Sequence, residues 1–157
     1  MTEPLGDTSR RYVFEDVASA TRKSMQSNRR RDTTPELAIR RLLHRAGERY
    51  RVDFRAAAQG RRVHVDIAFP RRKLAVFVDG CYWHGCPIHA TTPVTNRDYW
   101  VSKIAENRLR DEQQTAALRA CEWSVLRIWE HEPAAEAVER ILDALTAIDQ
   151  FRPRTST

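Results

Sequence analysis

Val76-Phe-Val-Asp-Gly-Cys-Tyr-Trp-His-Gly-Cys-Pro-Ile-His89 joins a buried strand to a dense group of reactive side chains. The apolar run Ala75 to Val78 stops at Asp79-Gly80, and two cysteines, two histidines and two large aromatics follow within nine residues. Upstream, Val63-His-Val-Asp-Ile-Ala-Phe69 alternates, which assigns Val63, Val65 and Ile67 to one face and His64 and Asp66 to the other. Pro70-Arg-Arg-Lys73 is short enough to force an antiparallel hairpin. Asp66 is therefore expected beside the end of the second strand.

Further out, Tyr50 to Phe54 alternates as another strand, with Ala56 to Arg62 read as the turn after it. Asp32-Thr-Thr-Pro-Glu36 opens a helix, with Thr34 as N-cap, Pro35 in the first helical position and Glu36 in the first turn. Ile39, Leu42, Leu43 and Ala46 give that helix one apolar stripe, and Gly47 stops it. Downstream, Thr95 or Asn96 caps a long helix to about Ala120, on which Trp100, Ile104, Asn107 and Asp111 share one side. An aspartate among apolar anchors is unexpected there. Glu122 to Glu130 reads as a strand, and Pro133 opens a last helix with the stripe Val138, Ile141, Leu142, Leu145 and Ile148. Helix, three strands, helix, strand, helix is an α/β order, a mixed central sheet flanked by helices.

The 157 residues make one domain, read as a flexible arm over 1–22, a single domain over 23–150 and a disordered tail over 151–157. With 41% apolar and 31% charged residues the chain is not disordered, and no apolar run reaches the roughly 20 residues of a membrane span. The expectation is a cytoplasmic protein with no membrane partner. Net charge is +6 and the pI about 9.7, carried mostly by arginine, which favours a polyanionic partner. Residues 22–31 hold five cations around Met25: a solvated basic segment, or a phosphate-contacting arm with an apolar tip.

Cys81-x4-Cys86-x2-His89 offers three soft or borderline ligands, which suits tetrahedral zinc, against the alternative of two unliganded thiols. The fourth ligand is sought among Cys121, His131 and His84. His131 is favoured, because it follows a strand end from which the chain turns back, and Cys121 reads as a small buried residue. A second group is Asp66 with the carbonyl of Val78, Asp79, Glu36 and Asp111. Clustered carboxylates in a basic protein suit a hard divalent cation able to promote phosphodiester hydrolysis. The plainer readings are an edge-facing or salt-bridged Asp66, the latter with Arg61 or Arg62, and a Glu36 that only serves its helix dipole.

Ser24-Met25, Thr34-Pro-Glu-Leu37, Asp66-Ile-Ala-Phe-Pro70, the stretch 76–89, Tyr99-Trp-x-x-Lys-Ile104, Asn107-x-x-Arg-Asp111 and Trp123-x-Val-Leu-x-Ile-Trp-Glu130 together resemble the very short patch repair DNA mismatch endonucleases. The resemblance runs from about residue 22 to 132. It implies a restriction-endonuclease-like (PD-(D/E)XK) fold with a structural zinc. It also implies a magnesium-dependent, monomeric, cytoplasmic enzyme, associated with the nucleoid and with mismatch-repair proteins. Such an enzyme nicks one strand of duplex DNA beside the T of a T:G mismatch. By that resemblance Asp66 and the Val78 carbonyl bind magnesium, His84 activates or relays the attacking water, and Asp111 and Glu36 support the site. Cys81, Cys86, His89 and His131 hold zinc, Tyr82 and Trp83 wedge beside the mismatch, and Met25 enters from the opposite groove.

Two positions depart from the pattern. Asp79 stands where a second catalytic histidine is often found, leaving acid–base work to His84 alone or making Asp79 a metal ligand. His131 stands where cysteine is common. Two rival functions are a double-strand-cutting restriction or defence enzyme of the same fold and a non-catalytic, zinc-stabilised DNA-binding module.

Overall fold

The computed structural model describes residues 31–89 and 94–151. The basic segment around Met25, the arm over 1–22 and all but the first residue of the expected tail lie outside them. Phe151 itself closes the last helix.

Helix α1 spans Thr34–Arg45, and its N-cap is Thr33, one residue earlier than expected. The reason is a reciprocal cap: Thr33 Oγ1 accepts from Glu36 N, while Glu36 accepts from Asp32 N at 2.9 Å and from the Thr33 hydroxyl at 3.2 Å. Pro35 therefore falls in the second helical position. Of the expected stripe Ile39 and Leu43 are buried and Leu42 is half-buried, whereas Ala46, at the C-cap, is exposed.

Strands β1 (Arg51–Ala58), β2 (Arg61–Phe69) and β3 (Leu74–Asp79) form an antiparallel meander, and β4 (Ser124–Trp129) joins β3 in parallel after helix α2 (Arg97–Ala120). The sheet order is β1-β2-β3-β4. Helix α3 (Ala134–Phe151) completes the order read from the sequence.

Three details differ from that reading. The alanines expected in a turn extend β1, with Ala56 and Ala58 buried, and the connection is only Gln59-Gly60. Both residues take positive φ, 46° and 74°, the geometry of a two-residue turn matched to strand twist. Second, β4 starts at Ser124 because Cys121 to Trp123 finish α2: Glu122 is left-handed at φ 65°, and Trp123 N donates to Leu118 O at 3.0 Å. Third, Val63, Val65 and Ile67 are all buried but do not share a core. Val63 and Val65 pack with Ala68 and with Ala117 and Leu118 of α2, whereas Ile67 packs with Phe69, Ile39, Leu43 and Ile141. The change of side falls at Asp66, across from Asp53, whose φ of 47° leaves the β region and breaks the two-residue alternation.

The sheet thus has two cores. Helices α1 and α3 pack together over one face, around Leu74, Val76, Ile128 and Leu145, and α2 covers the other, around Ala75 and Phe77. Among the described residues no helix is long and apolar enough to cross a membrane.

Candidate active site and metal centre

The parallel strands β3 and β4 end side by side, Asp79 opposite Trp129, and the loop 80–89 leaves from that end of the sheet. Glu130 fixes the loop's start, donating its backbone N–H to Asp79 O at 2.9 Å and accepting from Cys81 N at 2.7 Å. Helix α2 fixes its middle. Asn107 Nδ2 donates to Trp83 O at 2.9 Å, and Arg108 donates to His84 O at 3.3 Å and to Gly85 O. Gly85 has φ +63°, and a Cβ there would lie 2.6 Å from the Arg108 guanidinium, so the clamp requires glycine.

Under this clamp His84, Asp111 and Asp79 converge, with one ligand atom from each within 4.8 Å of the others. His84 Nδ1 lies 2.5 Å from Asp111 Oδ2 and 3.9 Å from Asp79 Oδ1. Burial works against a charge on the imidazole, but the Asp111 hydrogen bond and the charges of Asp79 and Asp111 outweigh it, so the His84 pKa is raised. Asp79 is only 5% exposed, and both its oxygens are held by Arg127, at 2.7 and 2.8 Å. The same guanidinium reaches Asp111 Oδ1 at 3.0 Å and lies 4.6 Å above the Phe77 ring centre. Arg127 was missed as a site residue by the sequence; an arginine inside the apolar run Val125-Leu-Arg-Ile128 was the available signal.

Asp66 lies on the other side of β3. Its Oδ2 accepts from Val78 N at 2.8 Å. Because Asp79 O points to β4, alternation turns the peptide groups of Val78 towards β2, so its carbonyl lies on the edge that Asp66 occupies. Burial pushes the Asp66 carboxyl up to about 6; the Val78 N–H opposes this, and the charges of Glu36 and Asp79 add to it. Glu36, 3% exposed, is thus both a helix cap and a neighbouring anion. Among the described residues Asp66 makes no ion pair, and Arg61 and Arg62 are exposed, which disposes of the salt-bridge reading. A half-buried carboxylate set among other carboxylates, with a peptide carbonyl beside it, fits a hard divalent cation.

Cys81, Cys86, His89 and His131 also come together, one ligand atom from each within 4.8 Å of the others. His131 Nδ1 is 3.0 Å from Cys81 Sγ and 3.6 Å from Cys86 Sγ, and His89 Nδ1 is 3.8 Å from Cys86 Sγ. Sulfur and nitrogen on one tetrahedral zinc stand about 3.6 Å apart. Burial pushes the Cys81 thiol up to about 11, whereas at Cys86 burial is outweighed by the N–H groups of His89 and Ile88 and the pKa falls. Two sulfurs and two imidazoles so placed fit zinc. Cys121 lies outside this group, packed on the cluster of Ala117, Leu118 and Trp123 and half-buried, not buried as expected.

Tyr82 and Trp83 are half-buried and meet each other and Trp100 edge to face, with centroids 5.3 to 5.7 Å apart. Tyr99 extends the group at 5.3 Å from Trp100.

Comparison with known proteins identifies the family. The family described as DNA mismatch endonuclease Vsr matches residues 15–89. The type II nicking enzyme V.NaeI of Lentzea aerocolonigenes is 46% identical over 124 residues, covering 78% of this chain and 75% of that protein. The type II nicking enzyme V.XorIIP of Xanthomonas oryzae pv. oryzae is 41% identical over 134 residues, covering 84% and 87%. The DNA mismatch endonuclease Vsr of Escherichia coli K12 is 33% identical over 113 residues, covering 71% and 70%. By these matches this chain belongs to the Vsr family of DNA mismatch endonucleases.

Proposed function

We propose that this protein is a magnesium-dependent endonuclease of restriction-endonuclease-like fold that nicks one strand of duplex DNA beside the T of a T:G mismatch. The observation that carries the reading is placement along β3: Asp66 accepts from Val78 N, the next residue Asp79 approaches the His84–Asp111 pair, and the loop that follows bears Tyr82 and Trp83. Asp66 and the Val78 carbonyl would hold magnesium, which when bound polarises the scissile phosphate and offsets its charge. His84 donates Nδ1–H to Asp111, which leaves Nε2 with the lone pair that takes a proton from water. Asp111 fixes that tautomer, and Glu36 holds the first turn of α1 against Asp66. Cys81, Cys86, His89 and His131 would hold a structural zinc: all four positions are protein side chains, so none is left for water.

Tyr82 and Trp83, braced by Trp100, are the wedge, and Met25 is assigned to the opposite groove. Opening a base step costs a few kcal/mol and least at a mispair, which gives mismatch preference a physical basis. The relatives' description as nicking enzymes favours cleavage of one strand over two. The protein would act as a monomer on nucleoid DNA in the cytoplasm, with mismatch-repair proteins downstream. The test is cleavage of strand-labelled T:G and T:A duplexes with and without magnesium. Nicking of the T strand only in T:G, lost in Asp66→Ala, is expected. Double-strand cleavage of fully paired DNA would overturn the mismatch reading, and unchanged cleavage by Asp66→Ala would overturn the metal assignment.

A further inference from the structure

We infer that Arg127 is a positioning residue for the His84–Asp111 pair, and that Asp79 serves to hold Arg127 in place.

All five N–H groups of the Arg127 guanidinium have an acceptor. Nε donates to Asp79 Oδ2 at 2.7 Å; Nη2 serves Asp79 Oδ1 at 2.8 Å and Asp111 Oδ1 at 3.0 Å; Nη1 serves Asp111 O at 3.4 Å and Thr115 Oγ1 at 3.3 Å. The group is fixed in plane by the Phe77 ring beneath it. Its backbone is fixed too: Arg127 O accepts from Arg140 Nη2 at 3.3 Å, and Arg140 pairs with Glu132, which caps Trp129 N. Arg127 thus joins the floor of the site, β3 and β4, to its cover, α2.

Charge and geometry give the reason for this arrangement. Asp79 and Asp111 both approach His84 Nδ1, at 3.9 and 2.5 Å. Two carboxylates that close repel each other and compete for one imidazole N–H. A guanidinium between them relieves the repulsion and pulls one oxygen of each carboxylate away from the ring. Asp111 Oδ2 is left as the partner of Nδ1, so Nε2 is aimed in one direction. Both Asp79 oxygens accept from Arg127, one lone pair of each, which fixes the carboxylate against the guanidinium. Lysine cannot replace this fork, because an ammonium is a point charge with three donors.

The inference rests on the endonuclease reading, and the test separates the two. Single-turnover nicking of a T:G duplex, duplex affinity with calcium in place of magnesium, and thermal unfolding would be measured for wild type, Arg127→Met, Arg127→Lys, Asp111→Asn and Arg127→Met/Asp111→Asn. A misplaced base costs about 100-fold in rate. Arg127→Met should lose that much with affinity within about threefold of wild type. Arg127→Lys, expected to fold even where the methionine variant does not, should remain at least about tenfold slow although its charge is kept. The double variant should be no slower than the slower single one, as expected of groups acting as a unit. Wild-type rate in Arg127→Lys, losses that multiply in the double variant, or a rate loss matched by lost affinity would overturn the positioning role. A wild-type protein that nicks no T:G duplex would count against the endonuclease reading instead.

Discussion

Replacing Asp66 by asparagine is expected to stabilise the metal-free protein while abolishing nicking. In the folded chain burial pushes the Asp66 carboxyl from 3.8 to about 6; the Val78 N–H opposes the shift and the anions Glu36 and Asp79 add to it. In the unfolded chain that environment is gone and the group ionises near its ordinary value. As pH rises from 4 to 6 the unfolded state releases a proton that the folded state keeps, so stability falls through that window and levels off above it. A shift of about 2 units amounts to about 3 kcal/mol. Asparagine retains an oxygen for the Val78 N–H but cannot ionise. Urea unfolding of both proteins in magnesium-free buffer should show almost no difference at about pH 4. The gap should be about half developed at pH 5 and reach about 3 kcal/mol in favour of Asp66→Asn above pH 7. Taking the difference at each pH cancels the titration of the zinc ligands. Adding magnesium should stabilise the wild type alone. An Asp66→Asn protein less stable than wild type at pH 8, or a difference independent of pH, would refute the account.

Asp111→Asn should lower the His84 pKa, since the Asp111 bond and charge are among the groups that raise it against the effect of burial. The base must be neutral, so the acid limb of the nicking profile lies above the usual imidazole range in wild type and moves to lower pH in the variant; an unchanged His84 titration by NMR would argue otherwise. Metal analysis of protein purified without chelator should find one zinc per chain, lost in Cys86→Ser and retained in Cys121→Ser; zinc loss in both would move the fourth ligand away from His131. Leu43→Ala, at a fully buried position between α1 and α3, should cost about 2 to 5 kcal/mol in chemical denaturation with one zinc still bound.

The order of elements, the hairpin bringing Asp66 to the end of β3 and the Cys81, Cys86, His89 spacing were all readable in the sequence, because each depends on neighbours within a few residues. So was the oddity of Asp111, a carboxylate on the apolar side of its helix. Helix and strand limits were less readable, since Glu36 capping back to Asp32 and the left-handed residues Asp53 and Glu122 are backbone choices that hydrophobic period does not report.

Which side chains meet across elements only the tertiary structure decided. The sequence left Asp79 either as a metal ligand or as a departure that leaves acid–base work to His84 alone. The structure ties it to Arg127, 48 residues away, because β3 and β4 end in register and α2 presses Asp111 onto the same guanidinium. His131 rather than Cys121, the choice the sequence already favoured, joined the zinc-type group because the parallel strand returns the chain to the cluster at its C-terminal end and leaves Cys121 at the other. Local patterning specifies elements, but pairing between distant charges depends on register and packing, and those are set by the whole sheet.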